Sequence, residues 1–383
     1  MINSSQEESS SSGIGEVEGV PLPSTLRMVA WEVTRRCNLA CVHCRAASED
    51  HPYSDELTTD ECRSLMDDMG SVASPVIILT GGEPYLREDI FVIARYGVGK
   101  GLRVVLATNG LLATDALAEE TKASGIARVS ISIDGPDGDS HNRMRGVPGA
   151  FEGALQGINA FKRAGVEFQI NSTITEDNLD CLEAVTNLAV RLGAAAHHVF
   201  LLVPTGRGRD IASGKASGEA YEDVLRRFHE LSLNSPIELK ATCAPQYHRI
   251  MRQRGIQHSG EGVSAHSTLH RMTRGCLGGL SFCFISHRGR VQPCGFLDVD
   301  CGLVREQPFR DIWERSPVFQ KLRNPMNLKG RCGRCEFLRV CGGCRARAYE
   351  KTGDYLDEEP LCPYEPQRRG TGRHAKKKAA HGL

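Results

Sequence analysis

MVAWEVTRRCNLACVHC, residues 28 to 44, is the stretch from which the rest of the chain can be read. The run from Met28 to Val33 is apolar and rich in β-branched and aromatic side chains, the composition of a buried strand. It passes directly into three cysteines, Cys37, Cys41 and Cys44, spaced CxxxCxxC. Thiolates at this spacing can reach one inorganic centre from a single loop. A closed structural zinc site or a fully ligated iron–sulfur cluster takes four ligands, and no fourth cysteine lies nearby. One coordination position is therefore left open.

The same kind of strand recurs along the chain at intervals of roughly 25 to 45 residues, each followed by a stretch of helical periodicity. After MVAWEV come VIILT from Val76, RVVLAT from Arg103, RVSISI from Arg128, EFQINSTI from Glu167 and HHVFLLV from His197. Between them, segments such as TTDECRSLMDDMGSV and GAFEGALQGINAFKRAG space apolar residues three and four apart, the second ending on a glycine. Alternating strand and helix predicts parallel strands with right-handed crossovers, here an incomplete (β/α)6 barrel. In such barrels chemistry gathers on the loops after the strands. The unusual residues fall there: the cysteine loop, then GGEP, TNG, DGP and PTGRGR.

Residues 25–236 are read as this α/β barrel. Residues 237–366 are read as a cysteine-rich second module, residues 1–24 as a polar, Ser/Gly-rich disordered leader, and residues 367–383 as a basic disordered tail. The 383 residues carry equal numbers of acidic and basic side chains, so no general attraction to nucleic acid or membrane is expected. Fifteen cysteines, an odd number clustered in CxxC pairs with no secretory signal, point to metal and to a reducing cytoplasm.

Cys37, Cys41 and Cys44, with Gly81, Gly82, Glu83 and Pro84 after the next strand, resemble the radical SAM superfamily. The resemblance implies a 4Fe–4S cluster whose open iron is chelated by S-adenosylmethionine. The reduced cluster then donates an electron to the sulfonium, and the 5′-deoxyadenosyl radical abstracts a hydrogen atom. It also implies that the Gly81–Gly82–Glu83 segment meets the methionine amino group and that Thr108 and Asn109 lie near the nucleoside or head group. Ser130 and Ser132 would approach the ribose, and His43 stands where an aromatic residue usually packs near adenine.

Eight further cysteines follow: Cys276, Cys283, Cys294, Cys332, Cys335, Cys341, Cys344 and Cys362. RCGRCEFLRVCGGC gives CxxCx5CxxC, with glycine and arginine between the thiols so that backbone N–H groups can turn toward sulfur. The pattern resembles the SPASM extension, which carries auxiliary 4Fe–4S clusters. That resemblance implies one set of Cys276, Cys283, Cys294 and Cys344 near the barrel and a second of Cys332, Cys335, Cys341 and Cys362 farther out. Cys341 and Cys344 are separated by two residues where the extension commonly has three. Zinc is the competing reading, because CxxC pairs are also its favoured ligands. Cys62, Cys181, Cys243 and Cys301 are read as buried side chains, with Cys243 in ATCAP the one held open as a ligand.

From Leu26 to Tyr364 the text is similar to the haem-maturing radical SAM enzymes of the alternative haem pathway, on segments such as ISIDGPDGDSHNRMRGVPGAFEGAL, HHVFLLVPTGRGRD and CGGCRARAYEKTGDYLDEEPLC. Within that family it is most like the haem b synthases. The expected reaction is oxidative decarboxylation of two propionates of iron-coproporphyrin III to vinyl groups, giving protohaem. Siblings acting on didecarboxysirohaem or making haem d1 are alternatives. So is a SPASM peptide-modifying enzyme, although only 36 residues precede Cys37, too few for a leader-binding domain. An iron–sulfur protein that does not cleave SAM is a further alternative. The reading implies an iron-porphyrin substrate and an electron donor such as flavodoxin or ferredoxin.

Anionic propionates call for cations, preferably the bidentate guanidinium. Arg143, Arg145, Arg207, Arg209, Arg274, Arg345 and Arg347 are candidates, with Arg207 and Arg209 preferred because they follow the last expected strand. Of His197 and His198, strand alternation turns one inward, where it could ligate the substrate iron.

Overall fold

The computed structural model describes residues 22, 24–212, 217–254 and 274–367. Apart from 22, 24 and 367, the expected leader and basic tail lie outside the described residues, as does most of the stretch bridging the two modules.

The six expected strands are present: β1 (Met28–Thr34), β2 (Val76–Gly81), β3 (Arg103–Thr108), β4 (Val129–Ser132), β5 (Phe168–Ile174) and β6 (Ala196–Leu201). They lie side by side in chain order, each parallel to the next. The helices between them start and stop where the sequence signals. Thr58 and Glu61 form a reciprocal capping box before the helix Thr59–Val72. Gly165 ends the helix Ala150–Ala164 in the left-handed region, at φ 67°.

The sheet continues past six strands at both edges. A seventh strand, β7 (Glu238–Thr242), pairs parallel with β6 and lies beyond the point, about residue 236, where the strand–helix rhythm reads as ending. On the other side, β8 (Phe282–Ile285) pairs parallel with β1, and β9 (Arg290–Gln292) and β10 (Gly302–Leu303) extend it antiparallel. The cysteine-rich segment thus begins by adding strands to the barrel sheet. ELKAT was missed because charged residues alternate with Leu239 and Ala241, which a search for apolar runs passes over.

Each strand turns one face to the helices and one to the inside. Val29, Trp31 and Val33 of β1, Ile77 and Leu79 of β2, and Val129 and Ile131 of β4 pack outward against Leu65, Met66, Ile93, Ile158 and Phe161 in the main core. The inner face is polar from β4 onward, with Ser130, Ser132, Gln169, Asn171, His198 and Lys240 at the alternate positions. A packed core has no use for that row, which makes the inner face the place to look for a site. Among the described residues no helix is long and apolar enough to cross a membrane.

Candidate functional site

The cysteine loop leaves the end of β1 and is held on three sides by loops from other strands. Gly82 N–H donates to the Thr34 carbonyl (2.8 Å) and Glu83 N–H to the Arg36 carbonyl (2.8 Å). A Cβ on Gly82 would stand 2.2 Å from the Arg36 carbonyl oxygen, so GGE is glycine-rich because its backbone lies against the cysteine loop. From the far side Gly206, at φ 53°, approaches the Arg45 carbonyl as closely. Cys37 and Cys41 are buried and Cys44 is partly buried. Burial pushes the Cys37 thiol up to about 12, with repulsion from Glu83, Cys41 and Cys44 adding to it. Burial raises the Cys41 thiol as well, and a cationic centre bound at this loop would stabilise both as thiolates.

Arg145 is the nearest built-in cation. It is buried, donates to Cys41 Sγ at 3.7 Å and pairs with Asp134 at 2.7 Å. Asp134 in turn lies 3.5 Å from His43 Nε2. Burial lowers the His43 pKa to about 4, and its Nδ1 has no hydrogen-bond partner among the described residues. Asp134 was not singled out from sequence, although it is the aspartate of DGP, and Arg145 was read as a substrate cation.

Glu83 is fully buried. It accepts from Thr108 Oγ1 (2.9 Å), Asn109 N–H (2.8 Å) and Tyr85 N–H (3.2 Å). Burial outweighs those bonds and raises its pKa to about 7. Asn109 Nδ2 then reaches Asn38 Oδ1 at 2.7 Å, closing a chain from GGE through TNG to the cysteine loop. Ser130 and Ser132 lie two strands away on the inner face of β4. Residues from the first four strands thus gather around one end of the sheet.

The arginines stand differently from the sequence expectation. Arg207 donates from Nε to the Cys41 carbonyl (2.8 Å) and from Nη1 to the Ser48 carbonyl (3.0 Å), so it clamps the cysteine loop instead of facing an open site. Arg209 is exposed and forms a two-pronged pair with Glu350 at 3.0 and 3.1 Å. Arg274 and Arg345 bond backbone carbonyls of the second module, and Arg347 pairs with Glu359. Arg143 is exposed. His197 faces the helices and is fully buried, with Ser172 Oγ at 2.8 Å from one ring nitrogen and Thr186 Oγ1 at 3.1 Å from the other, so neither nitrogen is open to iron. His198 faces inward.

In the second module Cys332, Cys335, Cys341 and Cys362 line one small cavity, partly open to solvent. Main-chain N–H groups point at its sulfurs, from Phe337 to Cys335, Gly343 to Cys341 and Glu359 to Cys332, at 3.4 Å each. Arg345 Nη2 adds a donor to Cys332 Sγ at 3.5 Å. The four side chains of this expected set lie together.

The other foursome does not. Cys294 is held up to about 12 by burial and by repulsion from Cys344 and Cys276, and these three are neighbours. Cys283 is elsewhere: opposite Val29 in the β1–β8 register, it points into the main core, where its neighbours are Cys301 and Arg323. Alternation along FCFI turns it away from the module. Its place is taken by Cys243, which follows β7 and packs with Cys294 and Cys344 beside Val203 and Leu297. Repulsion from Cys344, Cys294 and Cys276 adds to the burial that raises its pKa. Cys243 is one of two non-glycine residues with positive φ among the described residues, at 53°, a strained turn that aims its side chain. The signal in sequence was its position at a strand end, legible only once β7 is recognised. Among the described residues no group of three or more His, Cys, Asp or Glu side chains could hold a single metal ion.

Comparison with known proteins identifies both modules. Residues 31–189 match the radical SAM superfamily and residues 276–344 match the SPASM iron-sulfur cluster-binding domain. The chain is 51% identical over 347 residues to the AdoMet-dependent heme synthase of Nitratidesulfovibrio vulgaris, covering 90% of this chain and 94% of that one. It is 52% identical to its counterpart in Methanosarcina barkeri, covering 91% and 99%. A second Methanosarcina barkeri protein, Fe-coproporphyrin III synthase, is 32% identical over 88% and 87%. Among solved structures, Streptococcus suis SuiB bound to S-adenosylmethionine superposes with a TM-score of 0.70 at 15% identity, covering 89% of this chain and 78% of that one, a likeness of fold.

Proposed function

The chain belongs to the radical SAM family of AdoMet-dependent haem synthases, and from that membership we propose that it is an iron-coproporphyrin III decarboxylase, converting two propionates to vinyl groups to give protohaem. Each conversion removes a hydrogen atom, CO2 and one further electron from the side chain. When bound, a 4Fe–4S cluster with S-adenosylmethionine and the auxiliary clusters would supply a deoxyadenosyl radical for the hydrogen and an acceptor for the electron.

The residues present suit those groups. Cys37, Cys41 and Cys44 offer three thiols and no fourth, and Arg145 balances part of their charge. The buried Glu83 carboxyl, with hydrogen bonds but no cationic partner among the described residues, would orient the methionine ammonium, while the inner-face Ser130 and Ser132 would border the ribose and His43 the adenine. Arg207 is a positioning residue for the cysteine loop. Arg209 is exposed at the rim, and its substrate role would require exchange from Glu350. An electron donor of the flavodoxin or ferredoxin class would reduce the first cluster. The single observation that carries the specific reaction is the similarity to the haem synthases along nine-tenths of the chain.

Anaerobic incubation of the iron-loaded enzyme with S-adenosylmethionine, reductant and iron-coproporphyrin III is expected to yield a product lighter by two CO2 units and the associated hydrogens. Unchanged porphyrin beside accumulating 5′-deoxyadenosine would overturn this substrate assignment.

For the second module, Cys243, Cys276, Cys294 and Cys344 would hold the nearer auxiliary cluster and Cys332, Cys335, Cys341 and Cys362 the farther one. Cys243→Ala protein is then expected to contain about four fewer irons, if it loses a whole 4Fe–4S cluster, and a smaller Mössbauer signal. Cys283→Ala is expected to retain its iron while losing stability as a core truncation. Parental iron in Cys243→Ala together with loss in Cys283→Ala would restore the expectation drawn from sequence.

A further inference from the structure

Lys240 stands in the middle of β7, the edge strand of the sheet. Leu239 and Ala241 on either side pack outward in the second apolar cluster, so alternation turns Lys240 to the inner face. Its register partner is His198 of β6, whose own partner is Asn171 of β5, followed by Ser132 of β4. This polar row crosses four strands and ends at the last strand of the sheet.

Two donors in the row lack acceptors. Gln169 Nε2 donates to Asn171 Oδ1 (2.9 Å) and approaches His198 Nδ1 at 3.0 Å. With Nδ1 accepting, the network assigns the ring hydrogen to His198 Nε2. That nitrogen is buried without a hydrogen bond among the described residues, and Glu238 Oε1 faces it at 3.9 Å. The partly buried Lys240 ammonium makes no hydrogen bond or ion pair among the described residues. Burial pulls its pKa down, and only the through-space attraction of Glu238 opposes this. A cation and a neutral N–H stand side by side, both desolvated and both held only at a distance by Glu238, and together they could grip an anion with two acceptor oxygens.

We propose that Lys240 and His198 Nε2–H form a carboxylate-binding point on the inner wall of the sheet, taken by one propionate of the iron-porphyrin. The proposal rests on the substrate reading above. The carboxylate of S-adenosylmethionine is the other anion in the reaction. The loop that would chelate it follows β1, six strands away from β7, which leaves the substrate side chain as the occupant.

The test is an absorbance titration of the iron-loaded enzyme with iron-coproporphyrin III and, in parallel, with its tetramethyl ester, which keeps the ring and removes the charges. Loss of a charge-assisted hydrogen bond should weaken binding of the tetra-acid by about 10- to 100-fold in Lys240→Met. Ester affinity, iron content and S-adenosylmethionine binding should be unchanged, and Lys240→Arg should recover most of the loss. The melting temperature of Lys240→Met should hold or rise, since an unpaired desolvated ammonium is removed. If Lys240→Met disturbs iron or cofactor binding, Lys240→Gln carries the same comparison. Equal tetra-acid affinity in variant and parent, or equal losses for acid and ester, overturns the carboxylate site alone. A parent that binds neither porphyrin overturns the substrate reading with it.

Discussion

Cys41→Ala protein is expected to form 5′-deoxyadenosine only at background when supplied with S-adenosylmethionine and dithionite, while keeping the iron of its second module. Losing outer groups that merely orient metal ligands costs about 10- to 100-fold, and losing one of three ligands should exceed that. The local structure sharpens the expectation. Arg145 donates to the Cys41 sulfur and Arg207 to the Cys41 carbonyl, so the residue is fixed from both ends. Its alanine leaves a guanidinium facing an empty space. Cys62→Ala is the control, because that thiol is buried in the main core, donating to the Leu57 carbonyl at 3.8 Å and accepting from Arg87 Nη2 at 3.5 Å, away from the cysteine loop. Parental production of 5′-deoxyadenosine by Cys41→Ala would remove the cysteine loop from the chemistry.

Glu359→Ala should cost about 3–5 kcal/mol, the usual penalty for leaving one member of a buried ion pair alone. Arg347 and Glu359 are both fully buried, 2.9 Å apart. Arg347 also donates to the carbonyls of Leu202, after β6, and Cys243, after β7, at 3.3 and 2.8 Å. Glu359 accepts from Cys344 N–H at 2.7 Å. One pair therefore fixes the barrel end and two of the four clustered thiols in a single arrangement. The measurement is the urea midpoint of the full chain, with bound iron counted alongside. The Glu359→Leu/Arg347→Met double variant should recover a good part of the lost stability without recovering the geometry of the thiols. A double variant no more stable than Glu359→Ala would show that the charge left behind is not what destabilises.

The six strands, their order of appearance and the loops that carry unusual residues were all legible, because apolar runs and glycine stops are local signals. Cys37, Cys41 and Cys44 were legible for the same reason, being held in one loop of eight residues. What escaped depended on alternation within short strands. FCFI contains a cysteine whose direction is set by which neighbour faces the core, and no spacing rule conveys that. ELKAT hides a strand under charges, and with it both the placement of Cys243 and the exposure of Lys240 to the inside. The arginines were the hardest to read. Their charge is visible in the sequence, but Arg207 answers the carbonyls of Cys41 and Ser48, and Arg347 those of Leu202 and Cys243, all from distant parts of the chain.

The pairing of β8 with β1 has a consequence for synthesis. Val29 and Cys283 are partners about 250 residues apart, so β1 leaves the ribosome long before the strand that covers its far edge. In the interval that edge offers free backbone groups beside Val29 and Trp31, the template on which foreign strands add. Truncated chains ending near residue 254 should therefore aggregate from the β1 side even though β1 to β7 are complete, and a nascent chain will need shielding there until its own C-terminal segment arrives.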